Sequence, residues 1–141
     1  MEEGEPTLVG TPISDAVAEI TEFTWTSTPE EAIERITGDV EANDRYEIQA
    51  INSEGRVVAG AVITADDDCQ VGELISVQWC YVSPGYRGRV GIKMIKLAWE
   101  LAERTGYRVM AFTHRRAEGR YEINYRKLGG PKDGQESKED R

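Results

Sequence analysis

Between an apolar run and a long periodic segment, the stretch PGYRGRVGIK, Pro84 to Lys93, sets Gly85, Gly88 and Gly91 among Arg87, Arg89 and Lys93. Glycines let the main chain approach a ligand closely, and a helix starting behind them offers unpaired N–H groups and a partial positive charge. That combination suits a phosphate or pyrophosphate. The glycines recur every third residue. The stretch is therefore neither a P-loop, which needs Lys then Ser or Thr after its last glycine, nor the G-x-G-x-x-G of dinucleotide-binding turns. On residue types alone it also reads as an exposed strand-to-helix turn with solvated arginines.

The other reactive side chains are sparse. Cys69 closes the acidic run DDDC and Cys80 lies inside the apolar run ISVQWCYV. With no secretory signal at the N-terminus, both are expected as reduced thiols. A single histidine, His114, and no paired-ligand spacing argue against a metal site. Asp66, Asp67 and Asp68 lack the glycine-centred spacing of a calcium loop and are expected on a solvated hairpin connection.

Length and charge narrow the class. The chain has 141 residues, which suit one domain, and 39% hydrophobic with 30% charged residues is the balance of a soluble globular protein. No apolar run approaches the roughly 20 residues that span a bilayer, so a cytoplasmic protein without membrane contact is expected. A net charge of −9 argues against general nucleic-acid binding. Yet from Tyr86 to Lys127 eleven Lys and Arg face four Glu, a local balance of +7 that leaves −16 elsewhere. This is either ordinary surface scatter or the mark of a half that holds an anion, and nucleic-acid binding through the basic half is a third, weaker reading.

The elements that must position these residues follow from periodicity. Residues 1–10 read as a loose acidic start with at most a short strand around TLV. PISDAVAEITEF reads as a helix with Ser14 as N-cap and Ala16, Ile20 and Phe23 on one face. TPEEAIERITGDV reads as a second, with Thr28 as cap, Pro29 at the first helical position and Glu31 completing a capping box. RYEIQAIN and RVVAGAVIT alternate as strands around the NSEG turn, and LISVQWCYV is a third strand. Gly91 to Thr105 is the clearest helix, with Ile92, Ile95, Trp99 and Ala102 as its stripe, widened by Met94, Ala98 and Leu101. YRVMAFT is a fourth strand, and RYEINYRKLGG reads as a short last helix carrying Tyr121, Tyr125 and Leu128 on one side. The order predicts an α/β domain with a mixed sheet, a hairpin followed by a strand–helix–strand crossover.

The stretch WCYVSPGYRGRVGIKMIKLAWELAERTGY resembles the acyl-coenzyme A binding segment of the GNAT superfamily of N-acyltransferases. The family's V-x-P strand end is matched by Val82-Ser83-Pro84 and its Tyr-Arg-Gly by Tyr86-Arg87-Gly88. Gly91, Met94-Ile95 and the Ala98, Ala102, Gly106 series match its helix, and YRKLGG resembles its Y-x-K-L-G-F. The resemblance runs from Ile13 to Gly130. It implies a single-domain GNAT-like α/β fold over residues 1–130, a mixed central sheet with helices on both faces and C-terminal strands missing or truncated, followed by a disordered polar tail, 131–141.

The resemblance further implies an acyl-CoA-dependent N-acyltransferase moving an acetyl group from acetyl-CoA to a primary amine. Backbone groups of Cys80 and Val82 would meet the pantetheine arm, and the N–H groups of Arg87, Gly88, Arg89, Val90, Gly91 and Ile92 the pyrophosphate. Tyr125 would protonate the departing thiolate, and Glu73 would take the amine proton, with His114 as the other candidate base. Three departures from the family pattern accompany it. The turn is one residue short, so that Arg89 replaces a glycine. Glu118 stands where an asparagine is common, and Gly130 replaces the final aromatic. With few residues after Gly130 to wall the acceptor pocket, self-association or a protein partner along an open sheet edge is expected. The rival expectation is a catalytically silent GNAT-fold structural or interaction protein, a type also encoded by bacteriophages.

Overall fold

The second helix forms as its sequence predicts. In the computed structural model, which describes residues 1–129, Thr28 Oγ1 accepts the Glu31 N–H at 3.1 Å while Glu31 returns a carboxylate oxygen to the Thr28 N–H at 2.9 Å, opening α2 (Pro29–Glu41) behind Pro29. The first helix starts earlier than the expected Ser14 cap. It runs Gly10–Glu19 (α1) with no side-chain cap, because Pro12 is tolerated in a first turn and Ile13, Ala16 and Val17 then form its buried stripe. Ile20, extended, ends α1, and Phe23 follows on a short 3-10 turn, Thr21–Thr24.

Residues 1–9 are tied down, contrary to the expected loose start. The N-terminal ammonium donates to the Arg45 carbonyl at 2.8 Å, and Glu47 accepts the Leu8 N–H and the Thr7 hydroxyl at 2.8 and 2.7 Å. The Arg45 guanidinium, itself buried, pairs with Glu47 at 2.6 Å and donates to the Glu5 carbonyl.

Five strands follow in spatial order β1-β2-β3-β4-β5: β1 (Tyr46–Ile51), β2 (Val57–Asp68), β3 (Gly72–Val82), β4 (Val109–Ala117) and β5 (Arg120–Lys127). Only β3 and β4 are parallel, joined through α3 (Arg89–Glu103). Alternation along β2 sends successive side chains to opposite layers. Val62 packs with Val9, Ile13 and Val40 on the α1–α2 side, whereas Ala59 and Ala61 meet Met94 of α3. At Gly60 a Cβ would come within 2.6 Å of Val9 Cγ1, so glycine is required for α1 to approach the sheet.

Two expectations are corrected. The three aspartates are the end of β2, not a loop, and Asp68 closes the turn to β3 by accepting the Gln70 and Val71 N–H groups. The last helix is a strand. Tyr121 and Tyr125 have the i, i+4 spacing of a helix face, but they also alternate with Glu122 and Asn124, and Gly119 at φ 74° turns β4 back into an antiparallel partner. Among the described residues no helix is long and apolar enough to cross a membrane. Gly130 and the tail lie outside them.

Candidate active site

The glycine turn sits at the C-terminal end of β3. Pro84–Tyr86 makes a single 3-10 turn, Arg87 is extended, and Gly88, at φ 115°, caps α3 in a conformation that only glycine adopts readily. The Ile92 N–H donates to the Gly88 carbonyl at 3.0 Å, so Ile92 is already inside the helix. Arg89, Val90 and Gly91 supply the N–H groups of the open first turn. No side chain caps them, and no acidic residue stands in that turn. A Cβ on Gly85 or Gly91 would meet nothing within 4 Å, so packing does not demand glycine at either, whereas close approach of a ligand would. Arg89 and Lys93 are exposed around this opening.

Arg87 is not directed there. Its guanidinium turns back across the Tyr81 ring, 5.3 Å from the centroid, to pair with Glu19 of α1 at 2.5 Å. Its Nε donates to the Val82 carbonyl at 2.8 Å, which occupies one of the backbone groups expected to face the pantetheine arm.

Behind the turn the sheet opens. The parallel strands pair only at Ile75–Met110 and Ser76–Ala111, and β3 then continues to Val82 without β4. The cause is local. Ile63 pairs with Val77 and Val62 with Trp79, so Gln78 is an extra residue on β3, and a bulge bends the strand that carries it. The bulge follows the last β3–β4 pair, and a cavity of about 710 Å³ fills the separation. Its walls come from α3 (Met94, Ile95, Ala98, Trp99), β3 (Val77, Cys80) and β4 (Met110, Phe112). Thr113 and His114, neighbours with opposite orientations on β4, both line it, so it reaches through the plane of the sheet. Cys80 is open to this space, and its apolar surroundings withhold water and push the thiol up to about 11. A second cavity, about 400 Å³, lies between the N-terminal residues and Tyr107, away from the glycine turn.

Tyr125 reaches the large cavity from β5, on the face opposite α3. Its hydroxyl donates to Asp68 Oδ2 at 2.9 Å and accepts from Gln70 Nε2 at 3.4 Å. The Asp68 hydrogen bond, which favours the protonated phenol, raises its pKa. Asp68 itself is lowered, first by the Gln70 N–H. Glu73 lies on the same β2–β3 hairpin, paired in register with Asp67, exposed and outside the cavity wall.

Sequence reading missed the opposite face of the opening. Glu19 accepts hydrogen bonds from Arg87 and from the Tyr81 hydroxyl, and these two partners, Arg87 foremost, lower its pKa. Glu22, on the 3-10 turn, binds Arg115 of β4 at 2.6 and 2.9 Å and the Tyr121 hydroxyl of β5 at 2.6 Å. Arg115, more than any other neighbour, holds the Glu22 carboxyl far below the usual range. Next to it Trp25 donates to Glu118 at 3.1 Å and lies against Gly119, where a Cβ would meet Trp25 Cη2 at 2.9 Å. The connection after α1 thus straddles the gap, one carboxylate fastened to the β3 side and the next to β4–β5. Tyr81 was legible only as an apolar strand residue, and Glu19 and Glu22 only as surface charge.

The sequence model described as the acetyltransferase (GNAT) family matches residues 12–129. No curated protein matches the chain. Among solved structures, aminoglycoside 6'-N-acetyltransferase AAC(6')-Ih from Acinetobacter baumannii is similar at 13% identity and a TM-score of 0.46, covering 70% of this chain and 69% of that one. The apo enzyme AAC(6')-IG from Acinetobacter haemolyticus is similar at 17% identity and a TM-score of 0.42, with coverage of 70% and 69%. At these scores neither likeness adds to the family match.

Proposed function

Since the chain belongs to the acetyltransferase (GNAT) family, we propose that it is an acyl-CoA-dependent N-acyltransferase acting on a primary amine. The observation that carries this reading is the separation of β3 from β4 directly behind the uncapped start of α3. The residues present fit acyl-CoA. Arg89, Val90 and Gly91 offer N–H groups to a pyrophosphate, Arg89 and Lys93 add charge, and Gly88 and Gly91 leave the approach clear. An extended amide-bearing arm can pair with the free β3 edge near Cys80, as a strand would.

Bound acyl-CoA would supply a thioester carbonyl for the amine to attack. The C–N bond forms, the C–S bond breaks, and the sulfur takes a proton. Tyr125 is our acid for that proton, because Asp68 orients its hydroxyl and keeps it protonated. Glu73 is our acceptor of the amine proton, working through solvent from its exposed place on the hairpin. The acceptor would enter on the α1–α2 side, where the Tyr81 and Tyr121 rings flank the opening and Glu19 and Glu22 are each neutralised by an arginine.

A second reading, a catalytically silent interaction protein, is favoured by Arg87, whose charge is committed to Glu19 rather than to the turn. Calorimetric titration of acetyl-CoA against the full chain and Gly91→Glu separates the two. Gly91 has room for a side chain, and a carboxylate at a helix N-terminus stabilises the helix, so the variant folds. The enzyme reading expects micromolar binding that the variant weakens on the order of 1,000-fold, since two like charges about 4 Å apart repel by about 4 kcal/mol in a protein surface. No heat with millimolar acetyl-CoA would leave the interaction protein.

A further inference from the structure

Strand β5 sorts its side chains by face. Met110, in the core beneath α3, pairs with Arg126, so Glu122, Asn124 and Arg126 share the α3 side. Tyr121, Ile123 and Tyr125 alternate with them and form a strip on the opposite face, where Tyr121 binds Glu22. The helix α1 packs on β2 and β3, and Ile123 remains 62% exposed and Tyr121 47%. An isoleucine open to water between two tyrosines, on the face where the acceptor would enter, suits an apolar ligand.

The charges around the strip restrict that ligand. Its cross-strand partners on β4 are Ala111, Thr113 and Arg115, and the one charge among them is bound to Glu22. At the other end Asp68 accepts the Tyr125 hydroxyl and the Gln70 and Val71 N–H groups, but no cation pairs with it among the described residues. Lys127 follows Tyr125 on the same face and lines the cavity given to the cofactor's arm. The strip thus runs from an uncompensated carboxylate beside the proposed acid to an end whose charges are already matched. Ile123 lies roughly 7 Å from Tyr125 along the strand.

We propose that the acceptor is a monoamine whose single ammonium meets Asp68 beside Tyr125 and whose apolar body lies along Ile123 and Tyr121. The proposal rests on the acyltransferase reading above and specifies its acceptor. A second charge on the acceptor would fall against Ile123, where Glu22, the carboxylate at that end, is held by Arg115, so a polyamine is disfavoured. Four additional methylenes, each covered on one side only, are worth about tenfold in affinity.

The test is thiol release from acetyl-CoA by the full chain with ethylamine, hexylamine and spermidine as acceptors. Ethylamine and hexylamine are equally basic, so only the apolar body separates them. A kcat/KM about tenfold higher for hexylamine than for ethylamine, carried mainly by KM, with spermidine no better than ethylamine, supports the proposal. Ile123→Ser, at an exposed position outside the core, should bring the hexylamine to ethylamine ratio close to one, and Ile123→Phe, with more apolar area at the same place, should raise it. Thermal unfolding of both variants checks that they fold. A ratio that neither variant moves overturns the proposal, because the apolar preference would then arise elsewhere. Equal kcat/KM for the two monoamines, or a preference for spermidine, also overturns it and leaves the acyltransferase reading standing. Release with none of the three amines, although acetyl-CoA binds by calorimetry, overturns it too. Absence of acetyl-CoA binding removes the acyltransferase reading and this proposal with it.

Discussion

The two carboxylates that straddle the opening of the sheet make the same bonds to different ends. Glu19 and Glu22 each accept an arginine and a tyrosine hydroxyl. Glu22 has a side chain 8% exposed, shielded by the two side chains that bind it rather than by depth in the fold, and its arginine also lines the large cavity. The Glu19 side chain is 41% exposed, and its arginine belongs to the turn that faces the proposed pyrophosphate. One pair is a fastening. The other is a contact that an anion at the turn can compete with. Chemistry alone does not distinguish them, since the difference lies in what else each arginine can reach.

The largest expected effect extends the contrast to the tyrosines of β5. Tyr121 serves the fastening and Tyr125 the proposed chemistry. Tyr125→Phe should lower kcat about 100-fold, within the range of a positioned general acid, with a smaller change in KM. Tyr121→Phe should leave kcat near wild type and lower Tm. A thiol-release assay on a panel of primary amines reads both, and equal losses in kcat would erase the distinction.

Smaller effects separate the carboxylates themselves. Glu19→Gln should cost less than about 1 kcal/mol of stability, as exposed pairs do, and should tighten acetyl-CoA binding about threefold by freeing Arg87. Glu22→Gln should instead lower Tm more and leave cofactor affinity unchanged. Tighter binding in both variants, or in neither, would show that Arg87 is not shared.

Acid should act mainly on the fastening. The folded-state pKa of Glu22 is depressed, so its contribution is fully present above the ordinary carboxylate value of 4.5 and is lost as pH falls below it. Trp25 fluorescence followed downward from pH 6 should therefore change below about pH 4.5, and Glu22→Gln should remove that step. The smallest effect is assigned to Glu73→Gln, a decrease in kcat of no more than about threefold, because an exposed carboxylate acting through water contributes far less than a positioned base.

The sheet edges bear on self-association. Among the described residues β1 and β5 are each paired on one side only, and β5 carries Arg120, Glu122, Arg126 and Lys127. Charges on an edge strand disfavour pairing with another chain. A partner along β5 would therefore have to match that charge pattern.

Much of the fold was legible in local signals. The Thr28–Glu31 capping box, the Asn52–Arg56 turn between two alternating runs and the glycine turn before α3 each depend on residues close in sequence, and each formed where the pattern put it. Tyr125 was reached through the family resemblance, and the structure brings it to the cavity although its segment is a strand and not a helix. The helical reading failed because four-residue spacing of two tyrosines satisfies both periods, and pairing with β4 decides between them only in three dimensions.

The sequence by itself determined the α/β layering, the parallel crossover through α3 and the clearance at Gly88 and Gly91, since periodicity, capping and glycine conformation act within a few residues. Tertiary structure alone decided which stripe of α3 faces the sheet, where β3 leaves β4, and that Glu19 and Glu22 hold the two sides of the opening. These depend on a one-residue bulge at Gln78 and on contacts between residues 62 to 99 positions apart. Register and long-range partners carry no local trace, because the free energy that selects them comes from surfaces that meet only once the chain has folded.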